Sequence, residues 1–203
     1  MNIAIIGTGN VGRALATSAR RAGHDVTIAG RDAAKASTTA AELGVESVST
    51  ARQAAASAEL VILAVPSDAL DQVAQELDGV VDGKPIVDAT NRMQPDATTA
   101  SNAETLQDRL PEAHVVKAFN TSFASRQADP QIDGVRVDGY VAGDDPTAKQ
   151  QVLDLAEEIG FSPVDAGPLT SSRTLEGIAW INIVRNMDGG SWQGGLVLLE
   201  PAA

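Results

Sequence analysis

The 203-residue chain has no cysteine, only 3% aromatic residues and few cations. Without cysteine there can be no disulfide framework and no thiolate metal site. With so few rings, the core must be built from Ala, Val, Ile and Leu, and no stacking platform for single-stranded nucleic acid is available. Lys and Arg number 15 against 27 Asp and Glu, a formal net charge of −12. That balance repels a phosphate backbone and an anionic membrane surface, so neither nucleic acid nor membrane is expected as a partner. An acidic surface poor in lysine suits a salty cytosol, and ordinary solubility explains it equally well. Long apolar runs are missing too. The longest, Leu60 to Pro66, falls far short of the roughly 20 residues that span a bilayer. Met1 to Gly7 lacks the basic stretch of a secretory signal. The expectation is a soluble cytoplasmic protein.

What is present is an alternation of β-rich and helical runs, the signature of βαβ units. Strands are expected over Asn2–Ile6, Asp25–Ala29, Leu60–Val65, Pro85–Ala89 and Val115–Phe119. Helices are expected over Val11–Arg21, Ala33–Leu43, Thr50–Ser57 and Asp68–Leu77, with a polar loop over Met93–Ser101. In the second half the pattern gives a strand at Gly139–Ala142 and a helix over Pro146–Ile159. A short strand at Ser162–Asp165 and a helix over Ser172–Met187 follow, then a glycine-rich tail. The strand runs are apolar without alternation, as in strands buried on both faces of a parallel sheet. The fold class expected is α/β: a Rossmann-type, doubly wound, mostly parallel sheet. A single domain covers 1–203, with 166–203 as a short helical appendage that closes the site.

Gly7-Thr8-Gly9-Asn10-Val11-Gly12 is a G-x-G-x-x-G run between the first strand and the first helix. In that setting it reads as a dinucleotide fingerprint. Gly7 permits the tight turn, Gly9 admits a pyrophosphate to the backbone, and Gly12 allows close packing. The helix N-terminus then offers N–H groups to the phosphates. The second strand ends in Ala29-Gly30-Arg31-Asp32, where an NAD site carries an acidic residue. Arg31 is placed instead to pair with a 2′-phosphate, with Thr8 and Lys35 beside it, so NADP is the expected dinucleotide. Asp32 suits a helix N-cap, or ribose. Val65 and Pro66 end one strand and Thr90 and Asn91 follow another, on the sheet edge where α/β ligands lie. They are candidates for the nicotinamide side, against ordinary turn chemistry. His24 reads as a surface residue and His114 precedes a strand. Neither has a metal-ligand partner at a useful spacing, so no metal is expected. No acid, base or nucleophile stands out either, which leaves direct hydride transfer between two bound cofactors, a reaction governed by positioning.

These motifs, with Gly143-Asp144-Asp145 and above all Asp165-Ala166-Gly167-Pro168-Leu169 followed by Ser172-Arg173 and Glu176, make the chain resemble the coenzyme F420-dependent NADP oxidoreductases. The resemblance covers nearly the whole chain. It extends to the cytosolic reductase domain of six-transmembrane ferric reductases. It implies hydride exchange between NADP(H) and an 8-hydroxy-5-deazaflavin, with Thr8 and Arg31 on the 2′-phosphate. Family members that use the deazaflavin tend to carry a His-Thr-Ile-Pro-like run over its ring. Here the matching segment is Phe119-Asn120-Thr121-Ser122-Phe123, similar to flavin-type relatives. Asn120 and Phe123 are therefore candidates at the acceptor, with Phe123 either stacked on a ring or packed in the core. A flavin or other small acceptor, or a non-catalytic NADP(H) sensor, are the alternatives. The apolar helix near Ser172 and the tail with Trp192 suggest a homodimer, unless the tail folds back within one subunit.

Overall fold

A computed structural model describes residues 1–199. Eight strands form one sheet: β1 (Asn2–Ile6), β2 (Asp25–Ala29), β3 (Glu46–Ser47), β4 (Leu60–Leu63), β5 (Pro85–Asp88), β6 (His114–Ala118), β9 (Asp138–Gly143) and β10 (Ser162–Asp165). A two-residue hairpin, β7 (Gln131–Ile132) and β8 (Val135–Arg136), stands apart. The helices are α1 (Asn10–Arg21), α2 (Ala33–Leu43), α3 (Ala51–Ser57), α4 (Leu70–Leu77), α5 (Asn102–Arg109), α6 (Ala124–Ala128), α7 (Pro146–Glu158) and α8 (Ser172–Met187).

The strand order is β10-β9-β6-β5-β4-β1-β2-β3. Every junction is parallel except β6 with β9. The order reverses between β1 and β4, so the doubly wound sheet opens a crevice there at the carboxyl ends of its strands. The missing alternation in the strands has a direct cause. Ile3 and Ile5 of β1 and Leu60 and Ile62 of β4 enter the core on one sheet face. Ala4, Ile6, Val61 and Leu63 enter the core on the other. Both faces are covered, so these successive positions are apolar without alternation.

Several elements lie outside the sequence expectation. The pairs β3 and β7–β8 are too short for a periodic signal. The five-residue α6 follows the end of β6 directly. Helix α5 is polar apart from Ala103 and Leu106, so it shows little amphipathic pattern. It does carry a capping box: Ser101 Oγ accepts from the Glu104 N–H at 3.2 Å and the Ser101 N–H donates to Glu104 at 2.8 Å. That S-x-x-E signal was there to be read. The surface reading of His24 is corrected. Its side chain is only 7% exposed, with Nε2 3.0 Å from a Glu158 carboxylate oxygen, because the turn after α1 folds the ring under the start of the chain and against α7.

Candidate functional site

The three glycines of the first βα turn lie in different surroundings. Gly7 has φ +131°, and a Cβ there would collide with the Ala64 carbonyl. A Cβ on Gly12 would collide with the Gly7 carbonyl and touch the Ala64 side chain. These two are required by the protein's own packing. Gly9 is different: a Cβ there meets nothing within 4 Å, its φ of −78° is open to any residue, and it is exposed. It is the N-cap of α1 but supplies no side-chain cap, and the first turn holds no acidic residue. The opening N–H groups of α1, from Asn10, Val11 and Gly12, therefore have no side-chain cap beside the open position at Gly9, and a helix N-terminus carries a partial positive charge. Open space at an uncapped helix N-terminus is what a phosphate requires, so the residues present fit a dinucleotide.

At the end of β2, Gly30 lies against the Thr8 side chain, with 3.0 Å from its Cβ position to Thr8 Cγ2. The loops carrying Thr8 and Arg31 thus meet. Arg31 and Lys35 are exposed. Asp32 caps α2, its Oδ1 accepting from the Lys35 N–H at 3.0 Å. Arg13, by contrast, is drawn away onto Glu42 at 2.6 Å.

Across the switch point the remaining candidates follow β4, β5 and β6. Val65 is half-buried and Pro66 exposed at the end of β4. Thr90 is 4% exposed and its hydroxyl accepts from Asn102 Nδ2 at 2.8 Å, so the turn chemistry uses it. Asn91 and Asn120 hold each other: Asn91 Nδ2 donates to the Asn120 carbonyl and Asn120 Nδ2 to Asn91 Oδ1, each at 2.9 Å. Asn120 Nδ2 also donates to the Leu175 carbonyl of α8 at 3.1 Å. Phe123 packs edge-to-face on Trp192 of the tail, with ring centroids 5.0 Å apart. The tail folds back over the same chain. Leu196 accepts from the Asp138 N–H at 2.9 Å and Leu198 donates to Asp138 at 2.6 Å. Just before this segment, Phe119 adopts φ +65°, a left-handed backbone that is costly for a bulky residue.

Under these turns lies a cluster that sequence reasoning missed. Lys117 of β6 is wholly buried, with Nζ 2.8 Å from Asp88, 3.0 Å from Glu176 and 2.7 Å from the Thr90 carbonyl. Asp88 and Lys117 are register partners on β5 and β6, and Glu176 reaches in from α8. Glu176 also accepts from the Asn102 N–H at 3.0 Å. Arg173 forks onto Glu104 through two bonds of 2.7 and 2.8 Å, which holds the Glu104 carboxyl down at about 2. Ser172 and Ser101 pair their hydroxyls at 2.6 Å. Residues singled out as a motif, Ser172, Arg173 and Glu176, therefore fasten α8 to the carboxyl edge of the sheet. A charged residue inside an apolar strand, as in Val115-Val116-Lys117-Ala118, was the signal available.

Residues 2–92 match a family model described as NADP oxidoreductase, coenzyme F420-dependent. The rat metalloreductase STEAP3 is 32% identical over 87% of this chain, and the chain spans only 36% of that protein's length. A structure described as a candidate F420-dependent NADP reductase from Arthrobacter superposes with a TM-score of 0.81 at 30% identity. That superposition covers 98% of this chain and 100% of the other. The F420-dependent NADP reductase of Methanothermobacter thermautotrophicus is 33% identical over 92% of this chain and 90% of its own length. On that extent and identity, the chain belongs to the F420-dependent NADP oxidoreductase family.

Proposed function

We propose that this chain is an NADP(H)-dependent oxidoreductase that exchanges hydride directly with a deazaflavin of the coenzyme F420 type, as a cytoplasmic enzyme. The observation that carries it is the contrast among the glycines: Gly7 and Gly12 are closed off by the protein, while Gly9 opens onto empty space at a helix N-terminus. Gly7 to Gly12 would hold the pyrophosphate, and Thr8, Gly30, Arg31 and Lys35 the 2′-phosphate. Val65, Pro66, Asn91 and Asn120 would line the nicotinamide side, with Thr90 shaping the turn from beneath. When bound, the nicotinamide supplies a hydride at its C4 carbon. The protein's part is to orient that ring against the acceptor so that hydride passes directly, leaving NADP⁺. The negative charge that arrives on the deazaflavin ring is then met by a proton from solvent, so no side chain has to move a proton in the hydride step. Residues 166–199, the described part of the appendage, close the acceptor side by docking α8 through Arg173 and Glu176. Outward-facing Ile181, Val184 and Met187 support a homodimer.

A flavin is the second reading for the acceptor, favoured by the Phe119–Phe123 segment. NADPH oxidation tested against F420, FMN, FAD and a quinone separates the two. F420 should support turnover well above the others. A preference for FMN or FAD would replace the deazaflavin, and NADPH binding without oxidation by any acceptor would favour a sensor.

A further inference from the structure

Asn120 carries an acceptor that nothing in the protein uses. The residue is 4% exposed, and its Oδ1 is buried with no hydrogen-bond partner among the described residues. Its orientation is settled by its neighbours. Nδ2 donates to the Leu175 carbonyl and to Asn91 Oδ1, and a carbonyl can only accept, so a flipped amide would lose that bond. An unsatisfied buried acceptor is costly and rare in folded proteins. Gln127 Oε1 is also unpartnered, but Gln127 sits on α6 and braces the Phe119 and Ser122 carbonyls at 2.9 and 3.1 Å. Asn120 alone of the two follows the carboxyl end of a sheet strand, beside Asn91 and across the switch point from the glycine turn between β1 and α1. In a two-halved dinucleotide site that is the nicotinamide half.

We propose that Asn120 Oδ1 accepts an N–H from the carboxamide of the nicotinamide, so that this residue reads the ring's amide and fixes its rotation at the strand ends. The inference rests on the NADP(H) reading above. A site built around a lone acceptor favours a ligand that brings a donor and discriminates against an isostere that lacks one. The 3-acetylpyridine analogue of NADP⁺ is such an isostere, with a methyl group in place of the amide nitrogen. The analogue and NADP⁺ therefore differ at the one group that Asn120 addresses.

Equilibrium binding by calorimetry is measured for NADP⁺, the acetylpyridine analogue and 2′-phospho-ADP-ribose, which has no nicotinamide. Wild type should bind NADP⁺ about tenfold more tightly than the analogue, the scale of one buried hydrogen bond. Asn120→Ala should bind both alike. Asn120→Asp, which keeps an acceptor oxygen but loses the amide donors, should keep the preference. A purely structural role for Asn120 would make the Asp and Ala variants behave alike. All three proteins should bind 2′-phospho-ADP-ribose equally. Equal binding of NADP⁺ and the analogue to wild type overturns the inference, and so does a preference that survives in Asn120→Ala. Where Asn120→Ala does not fold, loss of the preference in Asn120→Asp overturns it in the same way. Failure of wild type to bind 2′-phospho-ADP-ribose is a different result: it removes the NADP(H) reading itself and this inference with it.

Discussion

Single residues in the first βα turn separate folding from binding. Gly9→Ala places its methyl group in open space at a φ that alanine accepts. Its unfolding midpoint should match wild type, while NADPH binding weakens at least tenfold because the methyl occupies the space proposed for the pyrophosphate. Gly12→Ala drives its methyl into the Gly7 carbonyl and should lose about 1–3 kcal/mol of stability, the usual cost of overpacking. Urea unfolding and NADPH titration of the two variants decide. If Gly9→Ala bound NADPH normally, the open space at Gly9 would not be where the pyrophosphate lies. Arg31 makes the complementary case. It is exposed at the edge of the crevice, so Arg31→Ala should leave stability unchanged. It should weaken NADPH by about 1.5–3 kcal/mol, the scale of a charge-assisted hydrogen bond, with NADH little affected. Equal losses for both dinucleotides would remove Arg31 from the 2′-phosphate.

Helix α8 shows what a whole element contributes and how differently its parts could be read. Its span was legible from Ser172 to Met187, and so was the sheet around it, because apolar periodicity and glycine punctuation are local signals. The glycine turn between β1 and α1 was legible for the same reason. The role of Lys117 was not, since its partners Asp88 and Glu176 lie 29 and 59 residues away along the chain and only the fold brings them together. The antiparallel entry of β9 likewise depends on contacts that no local pattern reports. Removing the cation of this cluster should be severe. Lys117→Met leaves two carboxylates buried without their partner, at a cost of about 3–5 kcal/mol, read as a lower denaturant midpoint. A change under about 1 kcal/mol would mean that the cluster does not hold α8 down. The clasp between Arg173 and Glu104 has its own signature. The guanidinium fork holds the Glu104 carboxyl down at about 2, against an ordinary value of 4.5. A carboxyl depressed in the folded state stabilises fully above its unfolded value and loses that contribution as acid protonates it. The stability gap between wild type and Glu104→Gln should therefore be constant above about pH 5.5 and shrink steadily between about pH 4.5 and 2. A gap that stays level through that range would mean that the fork does not form in solution.

At the scale of the whole molecule, the question is what covers α8. Its inner side is spent on the sheet, through Leu175, Glu176 and Ala179, each 3% exposed or less. Its outer side carries Ile181, Val184 and Met187, which are 71, 46 and 57% exposed. The tail meets α8 beside them, where the Trp192 N–H donates to Asn186 Oδ1 at 2.9 Å. Its further hydrogen bonds run to Asp138 and Ser125 and its Trp192 ring lies on Phe123, so those three side chains stay exposed. It adds Leu198 and Leu199 to the exposed apolar surface. Such a stripe on a chain of net charge −12 sets two forces against each other. Apolar burial favours pairing of two copies, while like charge opposes it and is screened by salt within about 10 Å at 0.1 M. Light scattering at low micromolar concentration should therefore give twice the 20.9 kDa chain mass in moderate salt, with dissociation promoted by lowering the salt. Ile181→Lys should yield monomers with an unchanged fold, since an exposed side chain contributes little within one subunit. A single-chain mass for wild type at a salt concentration that screens the charge would leave α8 facing solvent and rule out the dimer.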